Sequence, residues 1–545
     1  MNRLRAGIVA AVVACGLGAG NASAKPLADL PPVPSLSAAA LEPVRHIAVQ
    51  HNGRVKPFDS FARESLRVVT GSPTPGGRDP VATVLAIAAD PSAWTDAKLL
   101  SVPFVPLRQA LELDAHTAYV SYNDLVETKK LMRMLPSIVQ KQQRDEKLSM
   151  REQEAMDLFE RFRTFTELMQ QRYALAPAAT VDQEWQPVQQ TPLAEPWSQL
   201  VEAAKAGDGE QLQARAAAFQ SAARAMSPSG YPVAWRLQWE VSYNRLAPFR
   251  IARLLYWLGS VCLLIGLTVG RGPMAGCGMA AVIAGFLVHG SGIASRVVLG
   301  GRPPVSNFYE TMLWLPFVSV LLALIFERIY RVRFFAMAAA ILAGIALQLA
   351  EYVPLDSSIG PVVAVLRSNL WLTIHVLTVV ASYGAIGLAV VLAHMYSVSF
   401  LSRRPDAERL RALDLYLYRA VQVGVVLLAA GIMLGAVWAN ASWGRYWGWD
   451  PKETWALITL LWFLAALHGR FAGWLRGINM AMMTIAGFFL LLMTYYGVSF
   501  YLVGLHSYAG GHAKPLPVVL VAYLIAEVAF MAVIAASAWK RQQTH

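Results

Sequence analysis

The sequence predicts an all-α polytopic membrane protein: about nine transmembrane helices, preceded by a mainly helical extracytoplasmic domain and a signal peptide. Three observations carry this expectation. Of the 545 residues, 56% are hydrophobic and only 15% are charged, which is too apolar for a soluble chain of this length. From Arg250 onward, apolar runs repeat, each near the ~20 residues a helix needs to cross ~30 Å of hydrocarbon. The basic residues between those runs gather at alternate ends, as cytoplasmic loops do.

In chain order, Arg3 and Arg5 precede an apolar run, and Ala22-Ser23-Ala24 offers an A-x-A cleavage site. Residues 1–24 therefore read as a secretory signal peptide; an uncleaved anchor, or lipoprotein processing at Cys15, are the other readings. After cleavage only Cys262 and Cys277 remain, both in apolar runs. No disulfide framework and no C-x-x-C pair is available, so the chain is neither a thiol oxidoreductase nor itself a C-x-x-C-H cytochrome.

Residues 25–248 form a polar extracytoplasmic domain. Its start is Pro-rich (Pro26, Pro31, Pro32, Pro34) and extended. Residues 123–174 are strongly charged, with Met156, Phe159, Phe162, Phe165, Met169 and Tyr173 at helical spacing. They predict a long amphipathic helix with those side chains as its packing face. Residues 194–226 read as further helices. His46, His51 and His116 are scattered and read as structural or surface histidines.

Residues 249–545 form the membrane domain. Nine spans are expected at 251–270, 275–298, 309–327, 334–351, 370–399, 417–439, 454–472, 478–500 and 516–538. Arg271, Arg328, Arg331, Arg333, Arg403, Arg404, Arg409, Arg411, Arg470, Arg476, Lys540 and Arg541 all fall at one set of ends, assigned to the cytoplasm. The other side then receives the 25–248 domain, the Gly301–Pro304 turn, the 352–369 loop, a Trp-rich loop at 441–455 and the loop carrying His506. Signal peptide and charge bias agree on a bacterial inner-membrane protein with its N-terminal domain in the periplasm. The formal charge of +12 follows from this bias and does not indicate nucleic acid.

The Trp-rich loop is the feature that points to chemistry. Within Trp443-Gly444-Arg445-Tyr446-Trp447-Gly448-Trp449-Asp450-Pro451-Lys452-Glu453-Thr454-Trp455 stand four tryptophans and an Asp/Lys/Glu trio. The plain reading is an aromatic belt at the interface; the sharper one is a platform for a flat apolar ligand. In the expected topology His375 lies just inside the outer end of its helix and His506 just beyond another. Two neutral imidazoles can hold a haem iron axially. Trp443, Trp447, Trp449 and Trp455 offer flat contacts, and Arg445, Lys452 and Arg302 are candidate donors to the propionates. Asp450 and Glu453 read as braces that cap the following helix. His468 lies about 14 residues into its helix, roughly 20 Å down, and an ionisable side chain at that depth is a functional candidate. His289 and His394 are packed histidines or, if His468 is a ligand of an inner haem site as the resemblance below implies, possible same-chain partners for it.

The spacing W-G-x-x-W-x-W-D-x-x-E, followed by Asp450-Pro451-Lys452-Glu453-Thr454-Trp455 and running on to Leu467-His468, resembles the "WWD" signature of haem-handling proteins of cytochrome c maturation. It looks most like the CcsA (ResC) branch, the synthase of the two-component pathway. His375 and His506 stand where that family carries its outer haem ligands, and the resemblance covers residues 250–540. His51-Asn52-Gly53-Arg54-Val55-Lys56-Pro57-Phe58-Asp59 more weakly resembles the soluble region of some fused synthases. The resemblance implies a holocytochrome c synthase (haem lyase) with transient haem b as its substrate. Haem would load at an inner site at His468, with a second ligand often from another subunit, and pass to His375 and His506 under the tryptophan loop. There it would be presented to the C-x-x-C-H segment of apocytochrome c, whose thiols add to the vinyl groups. It implies a ResB/CcsB-like membrane partner and a thioredoxin-like reductant of the apocytochrome. Many relatives carry a histidine beside Gly301 where this chain has Arg302, so that turn is not expected to ligate iron.

The rivals are a haem exporter that delivers to a chaperone without ligation, a membrane dihaem cytochrome b, and a permease unrelated to haem. The two histidines of one span, His375 and His394, are 19 apart, against the 13–14 usual in dihaem helices, which disfavours the second.

Overall fold

The computed structural model describes residues 29–113, 118–144, 146–178, 183–270, 272–352, 355–360, 370–402, 404–506 and 517–543. The expected signal peptide with Arg3, Arg5 and Cys15, and also His116, Arg271, Arg403 and the 361–369 stretch, lie outside them. The described residues divide into two compact units, one covering 29–246 with 358–360, the other 247–357 and 370–543.

The first unit is mainly helical but carries a small antiparallel sheet that composition did not reveal. The strands Ala48–His51 and Arg54–Pro57 form a hairpin turned by Asn52 and Gly53 at positive φ, the residue pair such a turn favours. Ala174–Ala176 pairs on the other side of the first strand. The charged stretch forms three helices, a short one at Tyr122–Thr128 and the longer Lys130–Gln143 and Met150–Met169. The last break comes where Ser149 and Glu152 close a capping box, which starts a new helix in preference to continuing the old one. Phe165 and Tyr173 are buried, as expected of that face. They join a core in which Tyr173, Phe58, Phe61 and Trp197 meet at ring distances of 5.1–6.0 Å. The His51–Asp59 stretch supplies a buried ion network. Arg54 pairs with both Glu240 oxygens at 2.7 Å, Lys56 donates to Glu64 at 2.6 Å, and Arg45 donates to Asp59 at 2.9 Å. Burial pushes the Glu64 carboxyl up, but His51, Lys56 and Arg54 around it pull further and hold it below the usual carboxylate range.

In the second unit, nine helices among the described residues are long and apolar enough to cross a membrane, and the chain is a multi-pass membrane protein. The first starts at Pro248, and the next seven are Gly272–Gly300, Phe308–Tyr330, Phe334–Tyr352, Leu370–Phe400, Ala407–Trp443, Pro451–Phe471 and Ile478–Tyr501. The ninth is Leu520–Gln543. The sixth, with 37 residues, begins ten residues before the apolar run. Asp406 caps it, accepting from the N–H groups of Glu408 and Arg409, so the Arg-rich stretch winds into helix instead of forming a loop. At 1.5 Å per residue it is about 55 Å long, well beyond ~30 Å of hydrocarbon.

The fifth and sixth helices pack together through small residues. A Cβ on Gly424 would meet Ile386 at 2.6 Å, one on Gly431 would meet Val379 at 3.0 Å, and one on Gly435 would meet the His375 ring at 2.5 Å. Small side chains on one helix face let the backbones approach closely, and here they bring the His375 helix onto the helix that ends in the Trp-rich loop.

Candidate functional site

Gly431, Gly435 and Trp438 lie four and three residues apart, on one face of the sixth helix. The His375 ring rests against that face. Its Nδ1 lies 2.7 Å from the Gly431 carbonyl, and the ring stands parallel to Trp438, with centroids 6.3 Å apart and planes 6° apart. Trp438 in turn meets Trp443 edge-on at 4.6 Å and His506 at 6.2 Å. Gly444, at φ 72°, ends the helix and turns the chain into the loop.

The loop is held by its own acidic residues. Asp450 and Glu453 form a capping box at the start of the seventh helix. Glu453 Oε2 accepts the N–H of Gly448 at 2.8 Å and that of Asp450 at 3.3 Å. Asp450 also reaches a second segment: Oδ1 accepts the Leu505 N–H at 2.7 Å, and Oδ2 lies 2.8 Å from His506 Nδ1. Burial pushes the Asp450 carboxyl up, but His506 and the N–H groups of Leu505 and Lys452 outweigh it and hold the carboxyl below its ordinary range.

His375 and His506 line one cavity of about 290 Å³, with Trp438, Trp443, Trp447 and Lys452, close to the lower end of small-molecule sites. The fixed Nδ1 contacts decide the tautomers. A carbonyl or a carboxylate only accepts, so Nδ1 of each ring carries the hydrogen and Nε2 keeps its lone pair for a metal. A π-turn at Met493–Gly497 interrupts the eighth helix beside the cavity, where Tyr495 and Ser499 join the lining; such bulges often mark functional sites. Lys452 Nζ donates there to the Tyr495 carbonyl at 3.2 Å and to Ser499 Oγ at 2.7 Å. The Tyr495 hydroxyl meets Thr311 Oγ1 at 2.9 Å. Two imidazoles offering Nε2, flat indoles and a half-buried lysine make a donor set suited to a haem.

Not every candidate joins this cavity. Trp443 and Trp447 line it, while Trp449 and Trp455 do not; Trp449 is 69% exposed with φ 57°. Exposed Arg445 lies over the Gly448 backbone. Arg302 is not among the lining residues either: its guanidinium pairs at 2.6 Å with Glu310, which also pairs with Arg296 at 2.9 Å. Both arginines and Glu310 are buried, so Arg302 anchors the 301–307 turn, and that turn presents Pro303, Val305 and Ser306 to the cavity.

The three remaining histidines have separate surroundings. His289 is fully buried among Phe249, Tyr256 and Phe317, away from the cavity lining. His394 has Nδ1 against the Val390 carbonyl and Nε2 2.8 Å from Glu527, so both nitrogens face acceptors and neither offers a lone pair to iron. His468 is exposed in the last turn of the seventh helix, with Nδ1 on the Leu464 carbonyl at 2.7 Å and Nε2 left over.

Sequence reasoning missed Trp438, Tyr383, Tyr495 and Phe308 among the lining residues. Trp438 had a legible signal, since it shares a helix face with Gly431 and Gly435; the others come from distant spans. The glycine face gives a direct prediction. Gly435→Val places a branched side chain where the His375 ring lies and is expected to abolish stable haem retention while leaving expression intact. The haem-to-protein ratio after purification checks it, with Gly276→Ala, where an added Cβ meets open space, as a control outside the cavity.

Residues 305–506 match the family model described as "Cytochrome C assembly protein". The cytochrome c biogenesis protein CcsA of Prochlorococcus marinus (strain NATL1A) is 34% identical over 291 residues, covering 45% of this chain and 90% of that protein. CcsA of Synechococcus sp. (strain CC9902) is 33% identical over 299 residues, covering 48% of this chain and 98% of that protein. The protein NrfI of Wolinella succinogenes is 40% identical over 241 residues, but that stretch covers 43% of this chain and only 26% of NrfI.

Proposed function

The chain belongs to the CcsA family of cytochrome c biogenesis proteins, and from that premise we propose that it holds ferrous haem b between His375 and His506 and promotes its covalent attachment to apocytochrome c. The observation that carries this reading is the pair of imidazoles lining one cavity, each with Nδ1 occupied and Nε2 available.

The chemistry asks little of the protein beyond placement. Each cysteine of a C-x-x-C-H segment adds its sulfur to the inner carbon of a vinyl group while a proton goes to the terminal carbon, with no net oxidation. Holding the macrocycle rigidly supplies the near-attack geometry. Trp443 and Trp447 give flat apolar contact. Lys452 is half-buried, donates Nζ to the Tyr495 carbonyl and the Ser499 hydroxyl, and feels the charge of Asp450; a haem propionate would give it a direct anionic partner. Arg302 and Arg445 are weaker candidates for that role. Trp449 and Trp455 serve the loop's own structure or a docking apocytochrome.

The orientation follows the positive-inside reading, with the tryptophan loop and the 25–248 domain on the periplasmic side of the bacterial inner membrane. The exposed His468, with Nε2 left over, suits an inner haem shared with a ResB-like subunit, since both nitrogens of His394 face acceptors and His289 is fully buried among aromatic rings. A thioredoxin-like reductant keeps the apocytochrome thiols available.

The test is maturation of a reporter cytochrome c in a host stripped of its own maturation systems, with and without a ResB-like partner. Covalent haem on the reporter only when both proteins are present is the expected result. Haem bound by this chain with no reporter maturation under any pairing would sink the synthase reading and favour the exporter.

A further inference from the structure

The two imidazoles of the cavity have different partners behind them, and this difference bears on how the product leaves. His375 Nδ1 faces a neutral backbone carbonyl, that of Gly431, at 2.7 Å. His506 Nδ1 faces a carboxylate, Asp450 Oδ2, at 2.8 Å. Asp450 is itself fixed by the Leu505 and Lys452 N–H groups and is 7% exposed, so water does not screen it. An anionic acceptor draws the Nδ1 proton and raises the donor strength of Nε2 more than a neutral one does.

We infer that His506 is the strong, retained ligand of the haem and His375 the weak one, so that the histidine of the incoming C-x-x-C-H segment replaces His375. Asp450 is a positioning residue in this scheme and touches neither haem nor substrate. Two further observations fit. Gly504 presses against Asp450 Oδ1 and Pro451, where a Cβ would meet them at 2.6 and 2.9 Å, so the segment carrying His506 is clipped to the tryptophan loop that holds the macrocycle. His375 sits on a 31-residue helix and makes its Gly431 hydrogen bond with no metal bound, so a His375 that has given up the metal has a satisfied Nδ1. The exchange is ligand substitution at ferrous iron: one Fe–N bond breaks, one forms, and no electron moves. The inference rests on the bis-histidine reading above.

The experiment compares His375→Ala, His506→Ala and the double variant His375→Ala/Asp450→Asn, as reduced protein in detergent, by the iron–histidine stretching frequency in resonance Raman spectra. Asparagine keeps the helix cap and a hydrogen-bond acceptor but removes the charge. The expected result is a higher frequency for His375→Ala, in which His506 is the remaining ligand, than for His506→Ala. Adding Asp450→Asn lowers it towards the His506→Ala value. A C-x-x-C-H peptide with both cysteines replaced by serine should also bind iron about tenfold more tightly in His375→Ala than in His506→Ala, in line with the usual effect of such outer partners. Equal or reversed frequencies overturn the inference while leaving both histidines as ligands. A wild type that retains no haem with its partner present overturns the bis-histidine reading, and this inference with it.

Discussion

Replacing His375 and His506 together by alanine is expected to remove the six-coordinate spectrum of the reduced protein and to lower haem retention by on the order of 100-fold or more. The magnitude follows from the donor set. Losing an outer partner of a metal ligand typically costs about 10- to 100-fold, and losing the ligand itself costs at least as much. The apolar contacts of Trp443 and Trp447 remain in the variant, so some five-coordinate or weakly held haem is expected at high haem concentration. Each single variant should retain haem with altered axial ligation. His289→Ala and His394→Ala are the informative controls. His394 has both nitrogens committed and His289 is not among the residues lining the His375/His506 cavity, so neither change should move the spectrum of the outer haem. Absorption of the purified, dithionite-reduced proteins decides this. A double variant with the wild-type spectrum would place the haem elsewhere and remove the basis of the proposed function.

Glu310→Ala is expected to be the most destabilising single substitution at the site, by about 3–5 kcal/mol, because it leaves Arg296 and Arg302 buried with their shared anion gone. In the native chain Glu310 is 1% exposed; it pairs with both guanidinium groups and accepts the Ser306 N–H at 2.9 Å. It therefore ties the 301–307 turn to the start of the third helix, and that turn forms a wall of the cavity lined by His375 and His506. Loss of thermal stability in detergent should come with loss of haem, since the wall and the ion cluster share one residue. Glu310→Gln keeps hydrogen-bonding atoms without the charge and should fall between wild type and alanine. If Glu310→Ala melts with the wild type, the cluster is not what holds the turn.

Much of the membrane domain was legible because its signals are local. A run of about 20 apolar residues can only be a span or a buried helix, and among the described residues nine such helices stand where the hydropathy placed them. The sixth span exceeded its apolar run because Asp406 caps a helix within charged sequence, which hydropathy does not register. The first unit was less legible. Its hairpin strands have four residues each, too short for a period-2 pattern to stand out, and the sheet is completed by strands more than a hundred residues on. The break at Ser149 was written in a capping box, a signal present in the sequence but weaker than the helical periodicity around it.

The site divides in the same way. By itself the sequence determined which chemistry was on offer: two histidines at helix ends, a dense tryptophan loop and an Asp/Glu pair with capping spacing, all contained in short motifs. Only the tertiary structure decided which of these groups share a cavity and what stands behind each. Trp438 and Tyr495 entered the site, and Arg302 was drawn off by Glu310. His394 was drawn off by Glu527, 133 residues away in sequence. The reason is physical: a side chain's chemistry is local, but which acceptor it meets depends on helices that pack together through glycine faces across long separations. The separation from Asp450 to His506 is 56 residues, and only the folded chain turns that aspartate from a helix cap into the group behind the His506 ring.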